Sequence, residues 1–361
     1  MGSFVNFRNL VKKLLYLLYL LVIVVMLMEV AYRFQIIDFY RPELNALNPQ
    51  HPNTKTRGKK TVLVFGDSFT VQSNSWLNQL RIDSPDYTII NSAITGSSIV
   101  ETSYVAPGRI DDFDPDIFIY QIYVGNDLLG ITHHLNWKQW SSTRNIYWWL
   151  SDRIHFLSFL NYRMGQVNWK IHRDDTQSQS EALAGGEKFE LERYREREKI
   201  YALGDPYLIS NSVMLKNERD KDVEKLLSSL SNTISKLKPE CRVYLLIVPH
   251  KAQINKFYLD NMKDVGFLFD PRFEVGKEDY PFVEKLKDYF SGTRNVVIIN
   301  PLRDLVQRDS VSTRVYFLND EHLSDEGQFI VKEVVRLGLN PGRSTHPRLP
   351  NRHRSHTWKF E

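Results

Sequence analysis

Five short apolar runs set the strongest limit on how this chain can fold. They are continuous rather than alternating in polarity, which is typical of parallel strands that helices cover on both faces. The runs lie at residues 61–66, 87–93, 116–123, 242–248 and 295–300. Because helical patterns separate them, we predict an α/β domain whose five parallel strands form an open, doubly wound sheet.

Residues 14–31 form an apolar stretch in which Glu29 is the only charged residue. A stretch of this length is enough to cross the hydrocarbon core of a bilayer as one helix. Arg8, Lys12 and Lys13 precede it, so the positive-inside rule places the N-terminus in the cytoplasm and the rest of the chain outside. We therefore predict an uncleaved signal anchor. A cleaved signal peptide is the main alternative, and a buried helix of a soluble protein is a further one.

The composition of the remaining segments divides the chain into parts. A polar, proline-containing stretch after the anchor is expected to be a linker, and an aromatic and then charged region between the third and fourth runs is expected to be an insertion, either a lid or a small subdomain. The predicted parts are residues 1–34 (cytoplasmic N-terminus and transmembrane anchor), 35–60 (linker), 61–337 (α/β domain), about 130–215 (insertion within it) and 338–361 (basic, disordered tail).

Charge and cysteine content exclude several kinds of partner. The net charge of +4 equals the charge of the tail from residue 341 onward, where five basic residues face one acid, so the body is neutral overall. Such a body lacks the basic surface typical of nucleic-acid binding. The single Cys241 excludes an intrachain disulfide and a site of several thiolates. No histidine and carboxylate cluster has metal-ligand spacing, so we predict neither a metal nor a cofactor.

Four short polar motifs follow the predicted strands. The carboxyl ends of parallel strands lie on one edge of a sheet, where ligands bind. The motifs are Gly66-Asp67-Ser68, residues 93–98, Gly125-Asn126-Asp127 and residues 319–324. We therefore expect these four motifs, although distant in sequence, to meet at one site.

The residue types in these motifs suit nucleophilic catalysis. A serine hydroxyl such as that of Ser68 attacks well only when a nearby base takes its proton, and His322 has the right pKa for that role. An acid beside His322 would fix its tautomer. An oxyanion would need hydrogen-bond donors, for which we name the backbone N–H groups of Ser68 and Gly96 and the side-chain amide of Asn126.

In combination and order, Ser68, Gly96, Asn126 and His322 resemble the four sequence blocks of the SGNH (GDSL-like) hydrolases, which act on esters and transfer acyl groups. The similarity covers residues from about 61 to 335, outside the insertion. It implies a flavodoxin-like, three-layer α/β/α fold with a five-stranded parallel sheet. It also implies Ser68 as the nucleophile, with Gly96 and Asn126 completing the oxyanion hole.

Two positions depart from the pattern of that family. The common third block begins with glycine, but Val124 stands there and Gly125 follows it. The common last block has an aspartate three residues before the histidine, but Asn319 stands there and Asp320 stands two before. We predict Asp320 as the orienting acid and keep Asn319 as the alternative, which would give a weaker Ser–His pair.

These inferences together predict a membrane-anchored serine esterase outside the cytoplasm. The expected substrate is an acyl ester, an O-acetyl ester above all, of an envelope glycan or a lipid, because an anchor suits a substrate at the membrane. Two alternatives stay open. The same site would serve an O-acyltransferase, and the altered acid spacing is compatible with a non-catalytic binding or assembly module.

Overall fold

A parallel five-stranded sheet forms the centre of the protein in the computed structural model, which describes residues 2–49, 58–132, 142–171 and 188–339. The strands are β1 (Lys60–Phe65), β2 (Tyr87–Asn91), β3 (Ile117–Tyr123), β4 (Arg242–Val248) and β5 (Val296–Ile299). Their order across the sheet is β2-β1-β3-β4-β5, the order of the flavodoxin-like fold. The predicted fold class is therefore confirmed.

The central strands of the sheet are covered on both faces, as their apolar runs predict, whereas Val297 of the edge strand β5 is exposed. Every residue of β3 is buried, and in β1 only Lys60 is exposed. In the register, Val62 of β1 lies opposite Ile89 of β2 on one side and Ile117 of β3 on the other. The chain changes direction across the sheet between β1 and β3. The crevice at the carboxyl ends of those two strands is where such sheets bind ligands.

Helices form the two outer layers. In one set, the helices Ile99–Phe113 and Pro281–Phe290 both contact the helix Arg219–Ile234, and in another, the helices Trp76–Asp83 and Leu302–Arg308 both contact the helix Asp325–Leu339. The helices described are α1 (Gly2–Arg33), α2 (Arg41–Leu47), α3 (Ser68–Val71), α4 (Trp76–Asp83), α5 (Ile99–Phe113), α6 (Ser142–Ser151), α7 (His155–Ile171), α8 (Glu196–Gly204), α9 (Leu208–Met214), α10 (Arg219–Ile234), α11 (Lys256–Val265), α12 (Pro281–Phe290), α13 (Leu302–Arg308) and α14 (Asp325–Leu339).

The N-terminal helix α1 has two parts with different surroundings. Its stretch from Phe7 to Arg33 is long and apolar enough to cross a membrane, and most of its side chains are exposed. At its end, however, Glu29 is buried, and its carboxylate accepts hydrogen bonds from the backbone N–H groups of His155 (3.2 Å) and Phe156 (2.7 Å). These N–H groups open α7 and have no partner within their own helix. Glu29 therefore ties the end of α1 to the start of α7.

Part of the segment expected to be a linker is packed on the body. Tyr40 and Leu44 are buried, and Leu44 lies in α2. Pro42 occupies the first turn of α2, where its missing N–H is not needed. The ring of Tyr40 packs edge-on against Phe159 of α7 at 5.3 Å. Tyr40 and Leu44 thus extend the main core into the expected linker. Residues 50–57 of that linker lie outside the described residues.

The expected insertion contributes side chains to the main core as well as to its own. Phe156 and Phe159 belong to the main core, whereas Tyr194 and Leu208 pack in a second cluster with Met262 of α11. Within this aromatic region, Trp137 and Trp140 lie outside the described residues, and only the backbone of Trp169 is described. Of the tail expected to be disordered, residues 338 and 339 end α14 and Leu339 is buried, whereas residues 340–361 lie outside the described residues.

Candidate active site

Ser68 lies where β1 turns into α3. Asp67 caps this helix through its carboxylate, which accepts the N–H of Phe69 at 3.0 Å. A side chain at Gly66 would place its Cβ 2.6 Å from the Oε1 of Gln121, so only glycine fits at this turn. That Gln121 oxygen accepts the N–H of Asp67 at 3.1 Å. The turn is therefore held from the neighbouring strand β3, and Ser68 is the first residue of α3 with a half-buried side chain.

His322 meets Ser68 from a loop 254 residues further along the chain. Its Nε2 lies 2.8 Å from the Ser68 Oγ, and its Nδ1 lies 2.5 Å from the Asp320 Oδ1. The same carboxylate oxygen accepts the backbone N–H of His322 at 3.1 Å. The imidazole packs on the buried ring of Phe69 with 4.8 Å between ring centroids. Serine, histidine and aspartate thus form one continuous line of hydrogen bonds.

Asn319 takes part in a different set of contacts. Its side-chain Oδ1 accepts the N–H of Glu190 at 2.8 Å, and its Nδ2 donates to the carbonyl of Lys188 at 3.0 Å. Asn319 therefore binds the backbone of the insertion, and the carboxylate beside His322 belongs to Asp320. Although Asp320 stands only two residues before His322, its Oδ1 reaches both the Nδ1 and the backbone N–H of His322.

The buried Lys251 holds the loop that carries Asp320. Its ammonium donates to the carbonyls of Phe317 (2.9 Å), Leu318 (3.1 Å) and Asp320 (3.0 Å). The sequence-based interpretation missed this residue. A signal was available, because Lys251 follows β4 and therefore lies at the same edge of the sheet as the other motifs.

Burial, charge and hydrogen bonding shift the pKa values of His322 and Asp320 and set the tautomer of the imidazole. Burial alone would lower the pKa of His322, but attraction to Asp320 and their hydrogen bond outweigh burial, so the pKa of His322 is raised. Burial likewise opposes ionisation of Asp320, but the imidazole and Arg195 hold its pKa well below the ordinary value. An ionised Asp320 accepts the Nδ1–H, which leaves Nε2 to accept the hydroxyl proton of Ser68.

Arg195, in the insertion, reaches over the same pair. Its Nη1 lies 3.5 Å from the Asp320 Oδ1, 3.9 Å from the Glu321 Oε1 and 3.4 Å from the His322 Nδ1. Since Nδ1 carries a proton donated to Asp320, the contact of Arg195 with the ring is electrostatic, and its ion pairs are with the two acids. Sequence reasoning missed Arg195, since no local pattern couples the charged part of the insertion to a loop more than 120 residues away.

The expected oxyanion-hole residues lie on loops that follow β2 and β3. Gly96 has a positive φ of 69°, a conformation that glycine adopts without strain. Its loop is tied to the Ser68 turn, because the N–H of Ile94 and the hydroxyl of Ser97 both donate to the carbonyl of Gly66 (3.0 and 3.4 Å). Asn126 is half-buried. Both remain predictions as oxyanion donors.

Val124, which departs from the glycine of the related block, has a structural role. It is buried, and its N–H donates to the carbonyl of Val248 at 3.1 Å, which continues the pairing of β3 with β4. Asp127 fixes the following turn by accepting the N–H of Tyr123 at 2.8 Å. Burial raises the pKa of Asp127 well above its ordinary value and that of Asp67 to about 6.

Two further features bear on the chemistry. His250 is buried and its Nδ1 accepts the N–H of Ala252 at 3.1 Å. Burial, followed by the neighbouring Lys251, lowers the pKa of His250 to about 3, so this ring stays neutral. Within the described part of the chain, no group of three or more histidine, cysteine or carboxylate side chains is arranged to hold a metal ion.

Comparison with known proteins gives similarity at the level of solved structures. No family model matches the sequence, and no curated protein matches it. TesA is 13% identical, with 78% of this chain and 99% of that chain covered and a TM-score of 0.38. The acetyl xylan esterase AlAXEase is 14% identical, with 77% of this chain and 99% of that chain covered and a TM-score of 0.35. A GDSL-like lipase from Bacteroides thetaiotaomicron is 9% identical, with 84% of this chain and 100% of that chain covered and a TM-score of 0.36.

Proposed function

We propose that this protein is a serine ester hydrolase in which Ser68 is the nucleophile, His322 the general base and Asp320 the orienting acid. The observation that carries the proposal is the continuous line from the Ser68 Oγ to the His322 Nε2 (2.8 Å) and from the Nδ1 to the Asp320 Oδ1 (2.5 Å). Nucleophile, base and orienting group within hydrogen-bond reach are the geometric mark of such a site.

The reaction proceeds in two steps. The Ser68 oxygen attacks the ester carbonyl while the His322 Nε2 takes the hydroxyl proton, and Asp320 stabilises the imidazolium. The N–H groups of Ser68 and Gly96 and the amide of Asn126 bind the oxyanion. The intermediate collapses, the alcohol leaves with the proton from His322, and an acyl-enzyme remains. Water then attacks the carbonyl of the acyl-enzyme while His322 takes its proton. The carboxylic acid product leaves, and His322 returns the proton to Ser68.

The identity of the acid supports catalysis over the non-catalytic alternative. That alternative arose because Asn319 stands where the related family has its aspartate. The carboxylate of Asp320 lies on the Nδ1 of His322, while Asn319 bonds to Lys188 and Glu190. The altered spacing therefore leaves the imidazole with a carboxylate partner.

The same proposal includes an uncleaved membrane anchor. The Glu29 carboxylate is buried and caps the start of α7. Cleavage by a signal peptidase near the small residue Ala31 would remove Glu29 from the body and leave this helix start without its cap. The basic residues before the apolar stretch favour a catalytic body outside the cytoplasm. A tethered enzyme suits an acyl ester, such as an O-acetyl ester, of an envelope glycan or a membrane lipid.

The test uses the full chain purified in detergent, with p-nitrophenyl acetate as the substrate and a fluorophosphonate as the label for Ser68. We expect turnover and labelling in the wild type, and a loss of roughly 10⁴–10⁶-fold in kcat in Ser68→Ala. The exposed Ser73 provides a matched control, Ser73→Ala, which should keep both. Absence of turnover and of labelling in the wild type would refute the proposal.

A further inference from the structure

Arg197 places a guanidinium beside the loop expected to bind the oxyanion. Its Nη1 and Nη2 lie 3.8 and 4.0 Å from the point where a Cβ of Gly96 would stand. Its Nε donates to the hydroxyl of Tyr201 at 2.8 Å, one turn further along α8. This hydrogen bond holds the guanidinium beside Gly96.

The two arginines of this segment, Arg195 and Arg197, differ in what they already bind. Arg195 is engaged by the carboxylates of Asp320 and Glu321. Among the residues that the structure describes, Arg197 has no carboxylate oxygen within 4.0 Å, and its only hydrogen bond is the one from Nε to Tyr201. The two terminal amino groups of Arg197 are therefore available as a pair of donors.

We propose that Arg197 binds an anionic group of the substrate, so that the preferred substrates are esters carrying a carboxylate or phosphate near the scissile carbonyl. This inference rests on the proposed esterase function. A planar guanidinium offers two parallel N–H donors that match the two oxygens of a carboxylate or phosphate. Gly96 has no side chain that would hinder the approach of such a group to the guanidinium.

A purely structural role for Arg197 makes a different prediction. Glu198 and Glu321 are buried, and neither carboxylate oxygen of Glu198 has a hydrogen-bond partner in the described residues. If Arg197 only offset the charge of these acids, its loss would affect charged and neutral esters equally. Recognition of an anion changes their ratio.

The experiment measures that ratio with matched substrates. The first pair differs on the acyl side: p-nitrophenyl hydrogen glutarate carries a carboxylate there, and p-nitrophenyl hexanoate is neutral. The second pair differs on the alcohol side: 4-acetoxybenzoate carries a carboxylate there, and its methyl ester is neutral. Spontaneous hydrolysis is subtracted with Ser68→Ala. We expect Arg197→Gln to lower the charged-to-neutral ratio of kcat/KM by roughly 10- to 100-fold for one of the two pairs, and Arg197→Lys to lower it less.

The matched control is Arg193→Gln, which removes the same charge from an exposed arginine of the same segment that pairs with Glu190 at 2.9 Å. Its ratio should equal that of the wild type. A ratio unchanged by Arg197→Gln in both substrate pairs overturns the inference and leaves the esterase proposal intact.

A binding measurement keeps the inference testable if no ester is turned over. Glutarate and inorganic phosphate are titrated by calorimetry into Ser68→Ala protein with and without Arg197→Gln. We expect binding of at least one anion that the second substitution weakens by roughly tenfold or more. Equal affinities, or no binding, together with an absence of turnover, would overturn both proposals. Arg197-dependent binding without turnover would overturn the esterase proposal, and with it the ester substrates, but would retain anion binding by Arg197.

Discussion

Two carboxylates of this protein, Asp320 at the edge of the sheet and Glu29 at the end of α1, differ in the partners that they hold. Asp320 bonds to the imidazole of His322, which gains and loses a proton near neutral pH. Glu29 bonds to two backbone N–H groups of α7 and to the guanidinium of Arg33, which keep their protons. One carboxylate is therefore placed to influence a reaction, and the other to hold two helices together.

The largest effect should come from breaking the first pair. In Asp320→Asn the imidazole loses its charged partner and its fixed tautomer, so kcat should fall about 10⁴-fold. The base must be neutral, and Asp320 raises the pKa of His322. The acid limb of kcat/KM against pH should therefore lie above the ordinary histidine value in the wild type and move to lower pH in the variant.

Asn319→Ala is the matched neighbour for this test. Its side chain bonds to the insertion and not to His322, so it should cost less than about tenfold in kcat and leave the acid limb in place. A larger loss in Asn319→Ala than in Asp320→Asn would assign the orienting role to Asn319.

Removing the ammonium of Lys251 should have the next largest effect. Lys251→Met leaves three carbonyls of the Asp320 loop without their donor. Each unsatisfied buried group costs about 1–3 kcal/mol, so we expect the free energy of unfolding to fall by about 3 kcal/mol or more. Urea denaturation measures this. Lys263→Met, at a half-exposed ion pair with Asp260, is the control and should stay within about 0.5 kcal/mol of the wild type.

Breaking the contacts of Glu29 should affect stability without changing the chemistry. Glu29→Gln removes a charge from the N-terminus of α7 and weakens two hydrogen bonds, so the free energy of unfolding should fall by about 1–2 kcal/mol. The acid limb of the pH profile should not move. Glu240→Gln, at an exposed position, is the control. A shifted acid limb in Glu29→Gln would contradict the distinction between the two carboxylates.

The smallest effect should come from Arg195→Gln, which tests how a neighbouring charge acts on the pKa of His322 in its pair with Asp320. The positive charge of Arg195 opposes protonation of His322, so Arg195→Gln should move the acid limb to higher pH. Because Arg195 is 42% exposed, water and salt screen its charge, and roughly a few tenths of a pH unit is the expected size. Added salt should reduce the difference between variant and wild type, and a shift to lower pH would contradict this account.

Much of the fold and part of the site were predictable from local patterns. The continuous apolar runs identified all five strands, and the rule that ligands bind at the carboxyl ends of parallel strands brought Ser68, His322 and Asp320 to one edge. Arg195, Arg197 and Lys251 were not predicted. Their partners lie on other elements, and the sequence pattern of a charged residue in a polar segment is the same whether that residue faces solvent or the loop that carries Asp320.

The packing of residues 38–48 was also beyond the sequence pattern. Prolines and polar residues indicated a linker, but Tyr40 and Leu44 are buried in the main core, where Tyr32 of α1 and Phe159 of α7 enclose the ring of Tyr40. No single segment shows that enclosure. The burial of Glu29 has the same origin, since the start of α7 lies 126 residues along the chain from it.

By itself, the sequence determined the order of strands and helices, the apolar N-terminal helix and the identity of the serine and histidine that meet. These follow from local periodicity and from the motif at each strand end. Only the tertiary structure decided that the carboxylate on His322 belongs to Asp320, that Asn319 binds the insertion and that Arg197 lies over Gly96. Those choices depend on distances between side chains far apart in the chain, and such distances exist only after the elements have packed.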